Sequence, residues 1–290
     1  MQTLEHEAIA PHVPASLPCP LPGRHSREPA ELTEFRASPA DDRAFNRLRR
    51  QYRDAEDWRS LATLLLLHAS ALDGESLEQR GKAAELCVQA YELWLERVKD
   101  REEAAHALAR ALQLRPDNVR AQDRLRKLYE LLGAHTELVD LLRWRLTTQE
   151  GPDAAALHYE LAELLEQHFL AIGEAVTHYE KVLALDPSHA KANERLIRLY
   201  LVGGAWSHAA TRLGRELDRL DEASDRHRLA ELHRRLASIE AEQFDNVPAA
   251  ARHLQAALKL VPDDIDALRA FGVLYLASGK ATDDLSLIHI

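Results

Sequence analysis

Residues that favour β-strands are scarce in this sequence. Isoleucine and valine together supply 18 of its 290 positions, and aromatic residues make up 6%. Leucine and alanine, which favour helices, occur 50 and 46 times. Because strands depend on β-branched and aromatic side chains, this composition predicts an all-α protein.

Cysteines and long apolar runs are also nearly absent. The two cysteines, Cys19 and Cys87, give neither a disulfide framework nor the spacing of a metal site. Apolar runs such as Leu64–Leu67 are far shorter than the ~20 residues that cross a bilayer. The N-terminus lacks the basic and apolar segments of a secretory signal. We therefore expect no membrane span, no membrane partner and a cytoplasmic location.

Basic residues are outnumbered, with 37 lysines and arginines against 47 acidic residues and a net charge of -10. This balance argues against a general nucleic-acid binder.

The sequence also lacks glycine-rich nucleotide loops, the G-x-S-x-G elbow and the H-E-x-x-H zinc motif. No two of its 15 histidines have the three- or four-residue spacing that places two ligands on one helix face. We expect a noncatalytic protein with no cofactor and no metal site.

Prolines are concentrated near the N-terminus. Seven of the twelve fall between residues 11 and 39. A segment so rich in proline cannot form regular backbone hydrogen bonds, because proline has no N–H to donate. The composition predicts an extended, disordered leader over residues 1–40, and it favours a plain linker over a ligand for an aromatic groove.

From residue 41 onward the sequence repeats with a long period marked by prolines. The four marker prolines are separated by 77, 71 and 75 residues, and they are Pro39, Pro116, Pro187 and Pro262. Nine and thirteen residues after each proline comes an apolar pair on one helix face. The pairs are Leu48 and Tyr52, Leu125 and Tyr129, Leu196 and Tyr200, and Phe271 and Tyr275. A second break within each period indicates two helical hairpins per period.

Polar residues and glycines near the prolines predict where helices begin and end. Four residues that follow the prolines are candidate N-caps, namely Asp41, Asp117, Ser188 and Asp263. Three glycines lie seventeen residues after a proline, where they can end a helix in a left-handed conformation: Gly133, Gly204 and Gly279. The first period departs from this pattern, because Glu56 occupies the glycine position.

The second hairpin of each period carries the same pattern of four residues. It consists of a small residue, an apolar residue four positions later, a second small residue and a closing proline. The three sets are Ala104, Leu108, Ala111 and Pro116; Ala175, Tyr179, Val182 and Pro187; and Ala250, Leu254, Ala257 and Pro262. This pattern resembles the tetratricopeptide repeat (TPR) family, in a divergent, bacterial-type form with paired hairpins. The resemblance covers residues 41–284, about seven hairpins with the last incomplete. It implies an all-α, right-handed superhelical solenoid of antiparallel hairpins.

Basic residues recur at fixed positions on the first helix of three periods. Positions four, eight and eleven after the proline are basic in nine cases out of nine: Arg43, Arg47 and Arg50; Arg120, Arg124 and Lys127; and Lys191, Arg195 and Arg198. The spacing places each trio on one helix face. The TPR resemblance implies that this helix lines the concave surface. We therefore predict a basic strip there that binds an acidic or C-terminal peptide.

Three functions remain open at this stage. The first is a noncatalytic scaffold that binds peptide segments or partner proteins in its concave groove. The second is a regulatory or substrate-recruiting arm of a larger enzyme whose catalytic domain is absent from this sequence. The third, weaker alternative is an RNA-binding helical repeat, which the basic positions favour and the net charge opposes. Ordinary solvated surface, with the cations paired to neighbours such as Asp123 and Glu194, is the competing interpretation of the trios.

The end of the sequence departs from the repeat. Asp284 stands where the other first hairpins have Leu61, Leu138 and Ala209. Residues 285–290 then give a short apolar tail, which we interpret as non-native sequence joined to an interrupted reading frame. We expect the last hairpin to lack its second helix, so that self-association through an open apolar end becomes favourable.

Overall fold

The computed structural model describes residues 29–72, 76–147 and 151–277. Within these ranges the protein is all-α, with fourteen α-helices, one π-helical turn and no strand. The chain divides into two compact units, Met1–Ala171 and Ile172–Ile290. None of the helices described is long and apolar enough to cross a membrane.

The first unit contains three successive helical hairpins, preceded by a short helix and followed by a single one. Its helices are α1 (Ala30–Phe35), α2 (Asp42–Asp54), α3 (Trp58–Ala71), α4 (Leu77–Glu92), α5 (Arg101–Leu114), α6 (Val119–Leu132), α7 (His135–Arg145) and α8 (Pro152–Gln167). The hairpins pair α2 with α3, α4 with α5, and α6 with α7. A π-helical turn, Leu93–Val98, extends α4.

The second unit contains two hairpins with a single helix on each side of them. Its helices are α9 (Ile172–Leu185), α10 (Ala190–Val202), α11 (Trp206–Leu217), α12 (Arg226–Glu242), α13 (Val247–Leu260) and α14 (Ile265–Ala277). The hairpins pair α10 with α11 and α12 with α13, and α13 also packs against α14. Each helix therefore contacts mainly its neighbours along the chain, as in repeat proteins.

The small residues of the predicted pattern are buried on α5, α9 and α13. Ala104, Ala175 and Ala250 have no exposed surface at all. The larger residue four positions later on each helix, Leu108, Tyr179 or Leu254, is also buried. Alanine lets two helix backbones approach closely, and the larger side chain fills the space beside the contact. The predicted small and apolar pattern is thus part of the core.

The first helices bury the predicted apolar pair. Leu48, Leu125 and Leu196 are at most 1% exposed. The tyrosines four residues later, Tyr52, Tyr129 and Tyr200, are also buried. This fixes which side of α2, α6 and α10 faces the core, and the three basic positions of each helix lie on the opposite side.

The N-caps lie two residues after each proline, which corrects three of the four predicted positions. The Asp41 carboxylate accepts hydrogen bonds from the backbone N–H groups of Arg43 and Ala44, as predicted. In the other periods the caps are the following residues, and the side chains that accept are Asn118, His189 and Asp264. Asp117, Ser188 and Asp263 do not cap, because the proline and the next residue are used in the turn.

One turn geometry links the two helices of the first hairpin in the three periods whose turn the structure describes. The backbone N–H of Asp57, Ala134 and Ala205 donates to the carbonyl of Tyr52, Tyr129 and Tyr200 at 2.8–2.9 Å. This bond needs a left-handed residue just before the donor. Gly133 and Gly204 adopt φ of 66° and 70° there. Glu56 adopts a φ of 52° at the same position, although its Cβ atom makes this conformation less favourable than it is for glycine.

Replacing Glu56 by glycine is expected to raise the free energy of unfolding of the first unit by about 1 kcal/mol. Left-handed backbone costs a residue with a Cβ atom roughly 1–2 kcal/mol, and the greater entropy of an unfolded glycine offsets part of this gain. Urea denaturation followed by circular dichroism measures the change. Glu56→Ala is the control, because it removes the carboxylate and keeps the strain. Equal stability of the two variants would show that the left-handed conformation carries no cost.

The N-terminal leader ends earlier than predicted. Residues 30–35 form α1, with Leu32 and Phe35 buried and Phe35 beside the His68 ring at 6.3 Å between centroids. His68 also forms a 2.8 Å hydrogen bond with the Pro39 carbonyl. Leu32 and Phe35 share one face of a helical turn, so this segment packs on the first hairpin although prolines flank it. Residues 1–28 lie outside the described residues, so the disordered leader stays a prediction there.

Helix α14 is the last one described. Ile265, Leu268, Val273 and Leu276 on this helix are each more than half exposed. The predicted cap Gly279, the predicted absence of a further helix and the predicted non-native tail 285–290 all lie outside the described residues. They stay predictions.

Candidate peptide-binding surface

The first two basic trios lie on exposed faces of α2 and α6. Arg43, Arg47 and Arg50 are all exposed on α2. Arg120, Arg124 and Lys127 are all exposed on α6. Each trio stands opposite the buried leucine and tyrosine of its helix, so the six cations face solvent.

Helix α4 lies between these two trios. The Arg49 guanidinium on α2 donates to the Gln89 side chain on α4 at 3.3 Å. On the other side of α4, the Arg124 guanidinium on α6 lies 5.7 Å from the centre of the Tyr91 ring. The exposed faces of α2 and α6 are therefore separated by one helix.

The residues of α4 that match the trio positions are mostly uncharged. Tyr91 of α4 is buried like Tyr52 and Tyr129, and counting back from it gives Lys82, Leu86 and Gln89. The ammonium group of Lys82 is paired with Glu78 at 2.7 Å. In this unit the basic positions thus form two patches with a nearly neutral helix between them. That the trios form one basic strip on a concave surface stays a prediction.

Five of the six cations in the first unit have no partner among the residues that the structure describes: Arg43, Arg47, Arg50, Arg120 and Lys127. Asp123 lies near the trio of α6, but its carboxylate forms a 3.0 Å ion pair with Arg145 on α7. Glu130 and Glu160 both form ion pairs with Arg126, which does not belong to the trio. The local acids are therefore partly used by other arginines, and the exposed trios keep their positive charge.

The third trio lies on α10, in the second unit. Lys191 and Arg198 are exposed, whereas Arg195 is half-buried. Arg195 and Arg198 both interact with other groups of the protein, and Lys191 has no partner in the described part of the chain. This helix therefore offers a weaker basic face than α2 or α6.

Comparison with known proteins identifies the fold and no closer relationship. No protein-family model matches the chain, and no curated protein is similar to it. Among solved structures, a chain in the structure of Naa15/Naa10 bound to HypK-THB matches with a TM-score of 0.53 and 16% identity. The match covers 81% of this chain but only 34% of that one, so this chain spans about a third of its length.

Two further solved structures are similar to this chain over most of their own length. YrrB, described as a TPR protein with an unusual peptide-binding site, is 19% identical over 67% of this chain and 98% of its own, with a TM-score of 0.40. Part of a TPR repeat-containing protein from Cytophaga hutchinsonii is 14% identical over 82% of this chain and 91% of its own, with a TM-score of 0.42. The fold of the chain is TPR-like. At these identities the likeness concerns the fold alone.

The tryptophans of the TPR-like array pack between hairpins in the first unit. The Arg97 guanidinium, in the π-helical turn, lies 5.2 Å from the centre of the Trp58 ring on α3. In the same way the Arg59 guanidinium lies 5.3 Å from the Trp94 ring. Trp58 is therefore a contact between the first and second hairpins.

Two histidines that are distant in the sequence meet within one hairpin of the array. The Nδ1 atoms of His233 on α12 and His253 on α13 are 3.0 Å apart. Burial lowers the pKa of both rings, and for His233 the neighbouring His253 lowers the pKa further. Sequence spacing could not find this pair, because its members lie on different helices. Within the described residues, no group of three or more ligands could hold a metal ion.

The histidine pair should make the stability of the second unit depend on pH. The pKa of each ring is lower in the folded state than the ~6.5 of an unfolded histidine, so the unfolded chain binds protons more readily. Stability is therefore complete above about pH 6.5 and falls as the pH drops below that value. Urea denaturation between about pH 7.5 and 5 should show this fall, and the double variant His233→Gln and His253→Gln should reduce it. The exposed His227→Gln is the control, and an unchanged slope in the double variant would contradict the prediction.

Proposed function

We propose that this chain is a noncatalytic interaction scaffold whose first helices bind an acidic peptide segment or C-terminus of a partner protein. The observation that carries the proposal is the exposed basic surface of α2 and α6 in a chain of net charge -10. Five of its cations are unpaired within the described ranges. The noncatalytic part rests on the sequence, which contains none of the catalytic motifs sought.

The arrangement of the two patches restricts which peptide sequences can bind. A peptide that crosses from α2 to α6 passes over Leu86 and Gln89 of α4, which are uncharged. The best ligand therefore has acidic groups near both ends and a neutral or apolar residue between them. The carboxylate of a C-terminus supplies one of these acidic groups.

Several contacts must act together in such a site. An exposed ion pair contributes about 0–1 kcal/mol, so a single arginine cannot hold a peptide. Contacts made by one peptide to both patches reinforce each other, because binding to the second patch is intramolecular. The binding should weaken with salt, since the Debye length falls from about 10 Å at 0.1 M to about 3 Å at 1 M.

Reversing one cation in each patch is expected to weaken peptide binding at least about tenfold. The variant Arg47→Glu with Lys127→Glu removes two attractions and adds two repulsions, and tenfold corresponds to about 1.4 kcal/mol. Both side chains are exposed, so helicity should not change. Peptide arrays of acidic and C-terminal sequences would supply the probe, and fluorescence anisotropy would measure its affinity for the full chain.

The matched control changes the same charge on another helix. Arg101→Glu with Arg115→Glu alters two exposed arginines at the ends of α5 and should leave the affinity within about twofold. An equal loss in both double variants would show that only net charge matters. Tighter binding of single-stranded RNA than of any acidic peptide would favour the RNA-binding alternative and overturn the proposal.

A further inference from the structure

A second polar site lies in the second unit, beside the turn between α10 and α11. The cavity measures about 270 Å³ and is lined by Glu180 of α9, Tyr200 of α10 and five residues of α11: Ser207, His208, Thr211, Arg212 and Arg215. The five residues of α11 recur at intervals of three to four and share one face of the helix. None of them belongs to the basic trios.

The cavity has an excess of positive charge and of hydrogen-bond donors. Arg212 and Arg215 form no side-chain hydrogen bond or ion pair with the residues that the structure describes, although Arg212 interacts electrostatically with Tyr200. They are three residues apart on α11, so two guanidinium groups face the same space, and neither forms an ion pair with Glu180, the one carboxylate of the cavity. The imidazole of His208 packs near Tyr200, with 5.3 Å between the ring centres.

The one carboxylate of the cavity is already engaged. The Tyr200 hydroxyl donates a hydrogen bond to Glu180. Burial, together with Glu180, raises the pKa of Tyr200 to about 12, so the hydroxyl keeps its proton at neutral pH. Glu180 therefore offsets only part of the charge of the two arginines, and the cavity keeps a net positive potential.

We propose that this cavity binds a phosphate dianion, either free or as the phosphoryl group of a monoester, through the guanidinium groups of Arg212 and Arg215. Arginine pairs match the three acceptor oxygens of a phosphoryl group, which carries about -1.5 to -2 charges near pH 7. The Ser207 hydroxyl and the His208 imidazole stand beside the arginines as further polar groups. The group comes from inorganic phosphate in solution or from a phosphorylated serine or threonine of a peptide.

The size of the cavity agrees with this ligand. Pockets for drug-sized molecules measure about 300–1,000 Å³ and are mostly apolar. The cavity beside α11 is at the lower end of this range, and all seven of its lining residues carry polar groups. It suits one small anionic group better than a larger apolar ligand.

Calorimetric titration of the full chain at constant ionic strength tests the proposal. The probes are inorganic phosphate, a phosphoserine peptide and the same peptide with serine. Arg212→Ala with Arg215→Ala should weaken the binding of the phosphorylated probe at least tenfold. Arg215→Lys keeps the positive charge but loses the planar guanidinium and its paired N–H donors, so it should weaken the binding less. The control is Arg226→Ala with Arg252→Ala, two exposed arginines of the same unit that lie outside the cavity. Circular dichroism checks that each variant folds.

The outcomes separate the sources of the phosphoryl group. Saturable binding of inorganic phosphate that the cavity variant loses supports the proposal with a free anion as ligand. Binding of the phosphopeptide alone supports it with a modified protein as ligand. In either case the proton NMR signals of the His208 ring should shift on titration while those of His253 do not. The proposal is overturned by the absence of saturable binding, by binding of the serine peptide with equal affinity, or by an equal loss in the control variant.

Discussion

Replacing Trp94 by alanine is expected to lower the free energy of unfolding of the first unit by about 3–5 kcal/mol, the usual range for a buried tryptophan. Trp94 has no exposed surface and lies in the π-helical turn that extends α4. Its carbonyl accepts the 2.9 Å backbone bond from Asp100 that leads into α5, and the Arg59 guanidinium of α3 covers its ring. Trp94 therefore lies where α3, α4 and α5 meet, and its buried ring contacts α3 through Arg59.

The measurement must report on this unit, because a repeat protein can lose its hairpins separately. Hydrogen exchange of the α3, α4 and α5 amides should accelerate in Trp94→Ala, whereas exchange in α12 and α13 should not. Trp94→Phe is the control, since it keeps most of the buried volume and should cost less. Unchanged exchange in α3 to α5 would contradict the role given to this side chain.

Introducing a carboxylate at Ala250 is expected to destabilise the second unit by about 3–5 kcal/mol, because a buried unpaired charge is seldom tolerated. Ala250 is fully buried in α13, in a core cluster that includes Leu229, Leu254 and Ala257. None of these three side chains can donate a hydrogen bond to a carboxylate. Aspartate at this position must therefore stay buried without a partner or force α12 and α13 apart.

The next residue provides a matched control. Ala251 is half-buried on the same helix, one position further along. Because the two positions share nearly the same helix propensity and the same distance from the helix N-terminus, Ala251→Asp isolates the effect of burial. Urea denaturation followed by circular dichroism compares the two variants. Similar free energies of unfolding would show that the close contact of α12 with α13 does not depend on alanine.

Local sequence patterns predicted the helices and their buried faces well. The prolines and the spacing of Leu48 with Tyr52, and of Leu125 with Tyr129, identified the core side of α2 and α6. They did so because side chains at i and i+4 meet on one face of any helix. The same patterns placed three N-caps one residue too early. They missed the turn that the proline forms with the residue after it, which only the backbone geometry shows.

Contacts between helices needed the tertiary structure. The sequence identified the nine basic positions and their shared helix face, but the separation of the first two trios by Leu86 and Gln89 follows from the packing of α4 between α2 and α6. The 3.0 Å approach of His233 to His253, and the cavity beside α11, likewise join residues of different helices.

The difference between the two kinds of feature has one physical origin. A helix, its caps and its apolar face depend on residues within a few positions of each other, so the sequence by itself determined the all-α hairpins and the alanine contacts. Electrostatic surfaces and polar cavities depend on which helices become neighbours and in what register. Packing across the turns decides that register, and only the tertiary structure showed which charges of the described residues remain unpaired.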